Sequence, residues 1–250
     1  MQDDHATEDL IPLLGVRESD LPERALVVGD PYRAEAAAEL LDDAVAAGRN
    51  REYWTFVGTY GGEKVAVVSH GVGGAGAAVC FEELCRAGVK RIIRAGTAGG
   101  LQDHLGDGDI VVASAAVRDD GVTERIVPLR YPAVSNLDVV SDLRSAAANR
   151  SQKIDIGIVL TSDIFYAHPV LGSNLELWQG AGVIAVEMEC SVLLVIAAQH
   201  GVEAGAILAL DGNPLASGDD DMSEYDPHRD VVRNAVDTML NVALDALVRR

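Results

Sequence analysis

Ala25-Leu26-Val27-Val28-Gly29-Asp30-Pro31-Tyr32-Arg33 is the stretch whose reading decides the fold. Four apolar residues in a row suit a strand covered on both faces, as in a parallel sheet flanked by helices. Gly29-Asp30-Pro31 then turns the chain into an Ala-rich helix, Arg33–Leu41. The same pattern recurs downstream. Val65–Ser69 predicts a buried strand, followed by a glycine loop and a helix over Ala77–Ala87. Arg91–Ala95 predicts another strand, ending in the small-residue turn Gly96-Thr97-Ala98-Gly99-Gly100. Further strands are predicted at Ile110–Val117, Ile156–Leu160, Val183–Val186 and Ala204–Leu210, and a helix over Glu187–Gln199. The chain closes on an amphipathic helix, Val231–Leu247, with Val232, Val236, Met239 and Ala243 near one face. Strands alternating with helices define one α/β domain over residues 1–250, with a mixed, largely parallel sheet flanked by helices. Residues 1–12 read as a flexible N-terminal extension. In such a fold ligands belong at strand ends, where the loops gather.

The bulk numbers narrow the function classes. A chain of 250 residues that is 48% hydrophobic but only 4% aromatic builds its core from Ala, Val, Leu and Ile. No apolar run approaches the ~20 residues that span a bilayer. The start MQDDHATEDL has neither a basic nor an apolar stretch, so the expected location is the cytoplasm. Cys80, Cys85 and Cys190 form no metal-type pair, and an odd count argues against a disulfide framework. A net charge of −19 excludes nucleic-acid or anionic-membrane binding through a broad positive field. Lys64, Lys90 and Lys153 are the only lysines. Such acidity suits a high-salt cytoplasm, where screening shortens to ~3 Å at 1 M salt, and it also suits an ordinary acidic protein.

Several motifs carry both a chemical and a plain structural reading. Gly71-Val72-Gly73-Gly74-Ala75-Gly76 fits G-x-G-x-x-G, but the acid a dinucleotide fold places some 20 residues on is missing from Arg94-Ala95-Gly96-Thr97. A tight turn, or a loop whose backbone approaches a ligand, fits better. Arg33, Arg51 and Arg94 stand at apparent strand ends or turns. Each alone reads as a surface charge. Together, in so acidic a chain, they form a local guanidinium cluster that holds an anion, with Gly29 and the Gly96-Thr97 turn adding N–H and hydroxyl donors. Glu187-Met188-Glu189 either complements a helix dipole or accepts the hydroxyls of a sugar, with Met188 against the sugar face. Asp211, in Asp211-Gly212-Asn213-Pro214, is either a turn former or a desolvated acid able to donate a proton near neutrality.

Taken in order, these segments resemble the nucleoside phosphorylase family of the hexameric kind. The resemblance rests on Val28-Gly29-Asp30-Pro31 with Arg33, Asn50-Arg51-Glu52-Tyr53, Val68-Ser69-His70-Gly71-Val72-Gly73 and Phe81-Glu82-Glu83-Leu84. It continues in Ile93-Arg94-Ala95-Gly96-Thr97, Ser162-Asp163 with Phe165-Tyr166, and Val186-Glu187-Met188-Glu189. It implies phosphate binding by Gly29, Arg33, Arg94 and Thr97, with Arg51 given by a neighbouring subunit. It implies ribose held by Glu189 over Met188, with Glu187 beside them, and a base stacked on Tyr166. Asp211 matches the Asp-Gly-x-Pro setting of protozoan purine nucleoside phosphorylases and would face N7 of a purine. The implied reaction is phosphorolysis of 6-oxopurine nucleosides to free base and ribose 1-phosphate. Inorganic phosphate is the co-substrate, and no metal or organic cofactor takes part; the family allows a monovalent cation at a subunit interface. The implied assembly is a homohexamer, a trimer of dimers.

Three departures qualify the resemblance. Leu13 stands where the family places a histidine for the 5′-hydroxyl of a partner's sugar, and His5 is the nearest substitute. Either His5 serves, or the 5′ pocket is apolar. The Gln-x-Arg pair of uridine phosphorylases is missing from Ala167–Asn174, although Val117–Gly121 and Tyr131–Val134 resemble those enzymes as much as the purine ones. Thr97-Ala98-Gly99 replaces a more usual Ser-Cys-Gly. The alternatives are a uridine phosphorylase, a 5′-methylthioadenosine phosphorylase, and a catalytically silent nucleoside-binding relative.

Overall fold

The strand-turn-helix that opens the reading is present as β1 (Arg24–Val28) and α1 (Pro31–Ala38). The computed structural model describes residues 9–168, 170, 172–215 and 229–249. Asp30 caps α1 by accepting the Tyr32 N–H at 2.9 Å. Pro31 takes the first helical position, where its missing N–H needs no partner. The chain then forms β2 (Asp42–Asn50), β3 (Tyr53–Tyr60), β4 (Glu63–Ser69), α2 (Gly74–Arg86), β5 (Arg91–Gly100) and β6 (Ile110–Asp119). After α3 (Thr123–Ile126) and β7 (Ala133–Val134) come α4 (Leu137–Asn149), β8 (Asp155–Ser162), α5 (Leu175–Gly180) and β9 (Ala185–Glu187). The last elements are α6 (Cys190–His200), β10 (Glu203–Gly212) and α7 (Asp230–Leu247).

All the strands belong to one mixed sheet, ordered β10-β6-β8-β9-β5-β1-β4-β3-β2, with β7 on β6. Strand β10 also pairs with β5, so β5, β10, β6, β8 and β9 close into a ring. Parallel pairings join β1 to β4 and β5, β5 to β10, β6 to β8 and β8 to β9. The β2-β3-β4 flank is antiparallel, because short turns join those strands directly. Alternate residues of β1 feed two cores. Ala25 and Val27 face the layer of α2 and α6, with Phe81, Leu193 and Leu194. Leu26 and Val28 face the layer of α1, α4 and α7, with Leu143, Met239 and Leu244. Strands covered on both faces read as continuous apolar runs, which is why the run at Ala25 was decisive.

The differences from the sequence reading are local and have physical causes. Strand β5 does not stop at Ala95 but runs on to Gly100. Its small residues make room for neighbours: a Cβ at Gly96 would lie 2.2 Å from Nη1 of Arg94, and one at Gly99 would lie 2.8 Å from Cδ of Pro214. Helix α6 starts at Cys190, not Glu187, which ends β9 instead. Residues 46–50 are part of edge strand β2, which pairs with β3 from Asp42 to Asn50. Helix α4 was not expected, although Val139, Leu143, Ala146 and Ala147 bury one face at helical spacing. At the N-terminus, residues 1–8 lie outside the described residues. Within the expected extension, Leu10 bridges Arg17 and Ile11 is buried, so packing begins before residue 12.

Candidate active site

Because β1, β4, β5 and β10 run parallel, their C-terminal ends open on the same edge of the sheet. That edge presents Gly29, His70, the Gly96-Thr97 segment and Asp211. Arg94 lies inside β5, flanked by Val27 of β1 and Ala206 of β10, and is buried. Its guanidinium contacts the Glu189 carboxylate and stands 3.3 Å from Glu187. Burial alone would lower the Arg94 pKa, but the charges of Glu189 and Glu187 outweigh it and hold the group above the ordinary arginine range. The Nε atom of Arg94 is buried without a hydrogen-bond partner.

The two glutamates have different surroundings. Glu187 accepts from the Thr161 hydroxyl at 2.6 Å and from the N–H groups of Glu189 and Cys190 at 2.8 and 2.9 Å. Its carboxylate is thus engaged inward at the start of α6, which differs from the nucleoside contact expected of it. Glu189 accepts the Gly73 N–H at 2.6 Å as well as Arg94. Burial raises its pKa, yet Arg94, His70 and the Gly73 N–H together pull it below the usual glutamate value. The glycine loop therefore serves a protein carboxylate: Gly73, at φ +90°, turns its N–H onto Glu189.

His70, from the Val68–Gly73 segment, sits within this cluster, where the charges of Glu189 and Arg94 act on it. It is fully buried, its Nδ1 lies 2.8 Å from the Gly71 carbonyl, and its ring packs edge-on to Phe81 at 5.2 Å. Desolvation lowers its pKa to about 4, so the ring is uncharged at neutral pH. Arg33, in the first turn of α1, is close enough to add to that lowering. The signal in the sequence was a histidine between a buried strand and a glycine loop. Gly29 joins the same group through its carbonyl, which accepts the Gly71 N–H at 3.0 Å.

Asp211 is buried at a bulge in β10: Leu210 pairs with Ala98 and Gly212 with Gly99, leaving Asp211 as the extra residue. Bulges beside active sites re-aim a side chain. Its carbonyl accepts from Arg229 at 2.9 Å. Thr97 and Met188 are half-buried beside Arg94 and Glu189 in sequence. The fold does not bring Arg51 or Tyr166 into the buried cluster. Arg51 is exposed at the β2–β3 turn, with φ +53°. Tyr166 is 75% exposed and meets only the ring of Phe165 among the described aromatic contacts. His5 lies outside the described residues. Leu13 packs on the core, and its N–H donates to Glu83 at 3.0 Å. Among the described residues, no group of three His, Cys, Asp or Glu side chains is arranged to hold a metal ion, and no helix is long and apolar enough to cross a membrane.

The sequence and the fold as a whole are matched in known proteins. The model of the Phosphorylase superfamily matches residues 23–249, and the chain belongs to that family. It is 37% identical to a purine nucleoside phosphorylase of Plasmodium falciparum, covering 97% of each chain. It is 34% identical to a guanosine phosphorylase of Halorubrum lacusprofundi, covering 94% of this chain and 97% of the relative. The crystal structure of purine nucleoside phosphorylase from Toxoplasma gondii, in complex with immucillin-H, superposes with a TM-score of 0.91. That match is 33% identical and covers 96% of this chain and 95% of the other. Uridine phosphorylases match as well: the crystal structure of the one from Vibrio fischeri superposes with a TM-score of 0.89 at 27% identity, covering 98% of this chain and 100% of the other.

Proposed function

We propose that this protein is a cytoplasmic nucleoside phosphorylase that converts 6-oxopurine nucleosides and inorganic phosphate into free base and ribose 1-phosphate. The observation that carries the reading is the buried Arg94–Glu189 contact, with the Arg94 Nε left as an unused donor. A phosphate oxygen supplies that missing acceptor, and the sugar hydroxyls approach the adjacent Glu189 carboxylate. Arg33, Gly29 and Thr97 complete the anion site from the same strand ends, Met188 lies under the ribose, and Tyr166 stacks on the base. As the C1′–N bond breaks, positive charge builds on the sugar and negative charge on the base. The bound phosphate stabilises the first and attacks C1′, and a proton from Asp211 at N7 stabilises the second. Relatives that act on purine nucleosides support the base assignment, as does the missing Gln-x-Arg pair. The net charge of −19 fits work in concentrated salt, where surface acids are screened.

The test is a substrate panel of inosine, guanosine, uridine and 5′-methylthioadenosine, each assayed with and without phosphate. Hypoxanthine or guanine should appear only with phosphate, together with ribose 1-phosphate. Equal rates in phosphate-free buffer would identify a hydrolase. Faster turnover of uridine would assign the site to pyrimidines, the reading the uridine phosphorylase relatives favour.

The exposure of Arg51 bears on assembly. If it completes a neighbour's phosphate site, a two-fold contact makes each subunit both donor and receiver, and the smallest active unit is a dimer within the hexamer. Arg51→Ala and Asp211→Asn chains should each be nearly inactive alone. Mixed, they should recover up to about a quarter of wild-type activity, since half the dimers are hybrids with one intact site each. No recovery despite proven subunit exchange would remove Arg51 from a shared site.

A further inference from the structure

Arg229 stands immediately before α7, and its side chain reaches back to the end of β10. Nη2 donates to the main-chain carbonyl of Asp211 at 2.9 Å, and Nη1 pairs with Asp107 at 2.5 Å. Asp107 belongs to the loop leading into β6, which is itself joined to β10. Gly108 N–H donates to the Leu210 carbonyl at 2.9 Å, and Leu210 N–H to the Asp109 carbonyl at 2.8 Å. One guanidinium thus ties together three segments at the bulge that holds Asp211. The Arg229 side chain is 42% exposed, so it contributes little as core filling.

We propose that Arg229 is a positioning residue for proton transfer to the departing base. It fixes the peptide plane at the bulge, and with it the direction in which the Asp211 carboxyl points. A guanidinium suits this task because its donors lie in one rigid plane, spanning a carboxylate and a carbonyl at a set spacing. The ammonium of a lysine is a compact charge on a flexible stem and does not hold two acceptors in one plane. Pairing with Asp107 balances the arginine's charge, so the group acts as a clamp rather than as a counter-charge to the Asp211 carboxylate. The inference rests on the reading of Asp211 as the acid.

The experiment compares inosine with 7-methylguanosine, whose N7 is already alkylated and whose base leaves without a proton. Both are measured with wild type, D211N, R229M, R229K and D107N, each checked for folding by circular dichroism. R229M should lower kcat on inosine by about tenfold or more, the scale on which small misplacements act. On 7-methylguanosine it should change kcat less than about threefold, with KM for phosphate unchanged. R229K and D107N should fall between R229M and wild type on inosine, and they carry the same comparison should R229M fold poorly. If D211N separates the two substrates and the Arg229 and Asp107 variants slow both alike, or neither, the positioning role is wrong while the acid stands. If D211N itself fails to separate them, the reading of Asp211 fails, and this proposal with it.

Discussion

Asp211→Asn is expected to lower kcat on inosine and guanosine by roughly 10²–10⁴-fold, the range over which a general acid contributes. The substitution keeps the shape of the side chain and replaces its acidic carboxyl with an amide that does not transfer a proton. Asp211 is 6% exposed, and the bulge that displaces it from the β10–β5 register directs it away from ordinary strand geometry. The loss should therefore depend on the leaving group. A purine needs a proton at N7 as its negative charge develops, whereas an N7-alkylated base does not. KM for phosphate should stay near the wild-type value, because the proposed anion ligands, Gly29, Arg33, Arg94 and Thr97, lie on other elements. Equal slowing of both kinds of nucleoside would mean that Asp211 maintains the strand end and transfers no proton.

Arg94→Met should impair both stability and catalysis. Removing the guanidinium leaves the Glu187 and Glu189 carboxylates buried without their cation. Breaking a buried pair by deleting one partner typically costs about 3–5 kcal/mol. For a chain of this size each kcal/mol lowers Tm by roughly 2–4 °C, so the drop should be plain in thermal unfolding. Loss of a charged donor to phosphate removes a further ~1.5–3 kcal/mol of binding, seen as a raised KM for phosphate and a lower kcat. A second substitution separates the two effects. Glu189→Gln in the Arg94→Met background removes one stranded carboxylate and should recover part of the stability but none of the activity. A single variant with wild-type Tm and wild-type phosphate dependence would take Arg94 out of the site.

How legible each part was depended on the range of the interaction that decides it. The β1-turn-α1 unit was readable because its causes are local: an apolar run, Asp30 as cap and Pro31 at the first helical position. Of the residues expected from strand-end positions and motif order, Gly29, Thr97 and Asp211 lie at strand ends on one edge of the sheet, and Arg94, inside β5, meets Glu189. The hairpin β2-β3 was missed where small residues, Ala44 to Gly48, carry no strand alternation. Glu187 was grouped with Glu189 because they lie two residues apart. Yet Thr161, 26 residues away in sequence, and the first N–H groups around α6 take up its carboxylate.

The sequence by itself determined that this is an acidic α/β chain of alternating strands and helices, with its candidate site residues near strand ends. Those properties follow from composition, apolar runs and capping residues, which act within a few positions of one another. Only the tertiary structure decided that β10 pairs with both β5 and β6 and closes a ring, and that a bulge isolates Asp211. It alone decided that Arg94 meets Glu189, that Gly73 serves the same carboxylate, and that Arg229 returns to Asp211. Each of these contacts joins residues 18 to 116 positions apart. A buried charge selects whichever partner the strand register places beside it, and that register is set by packing across the whole sheet.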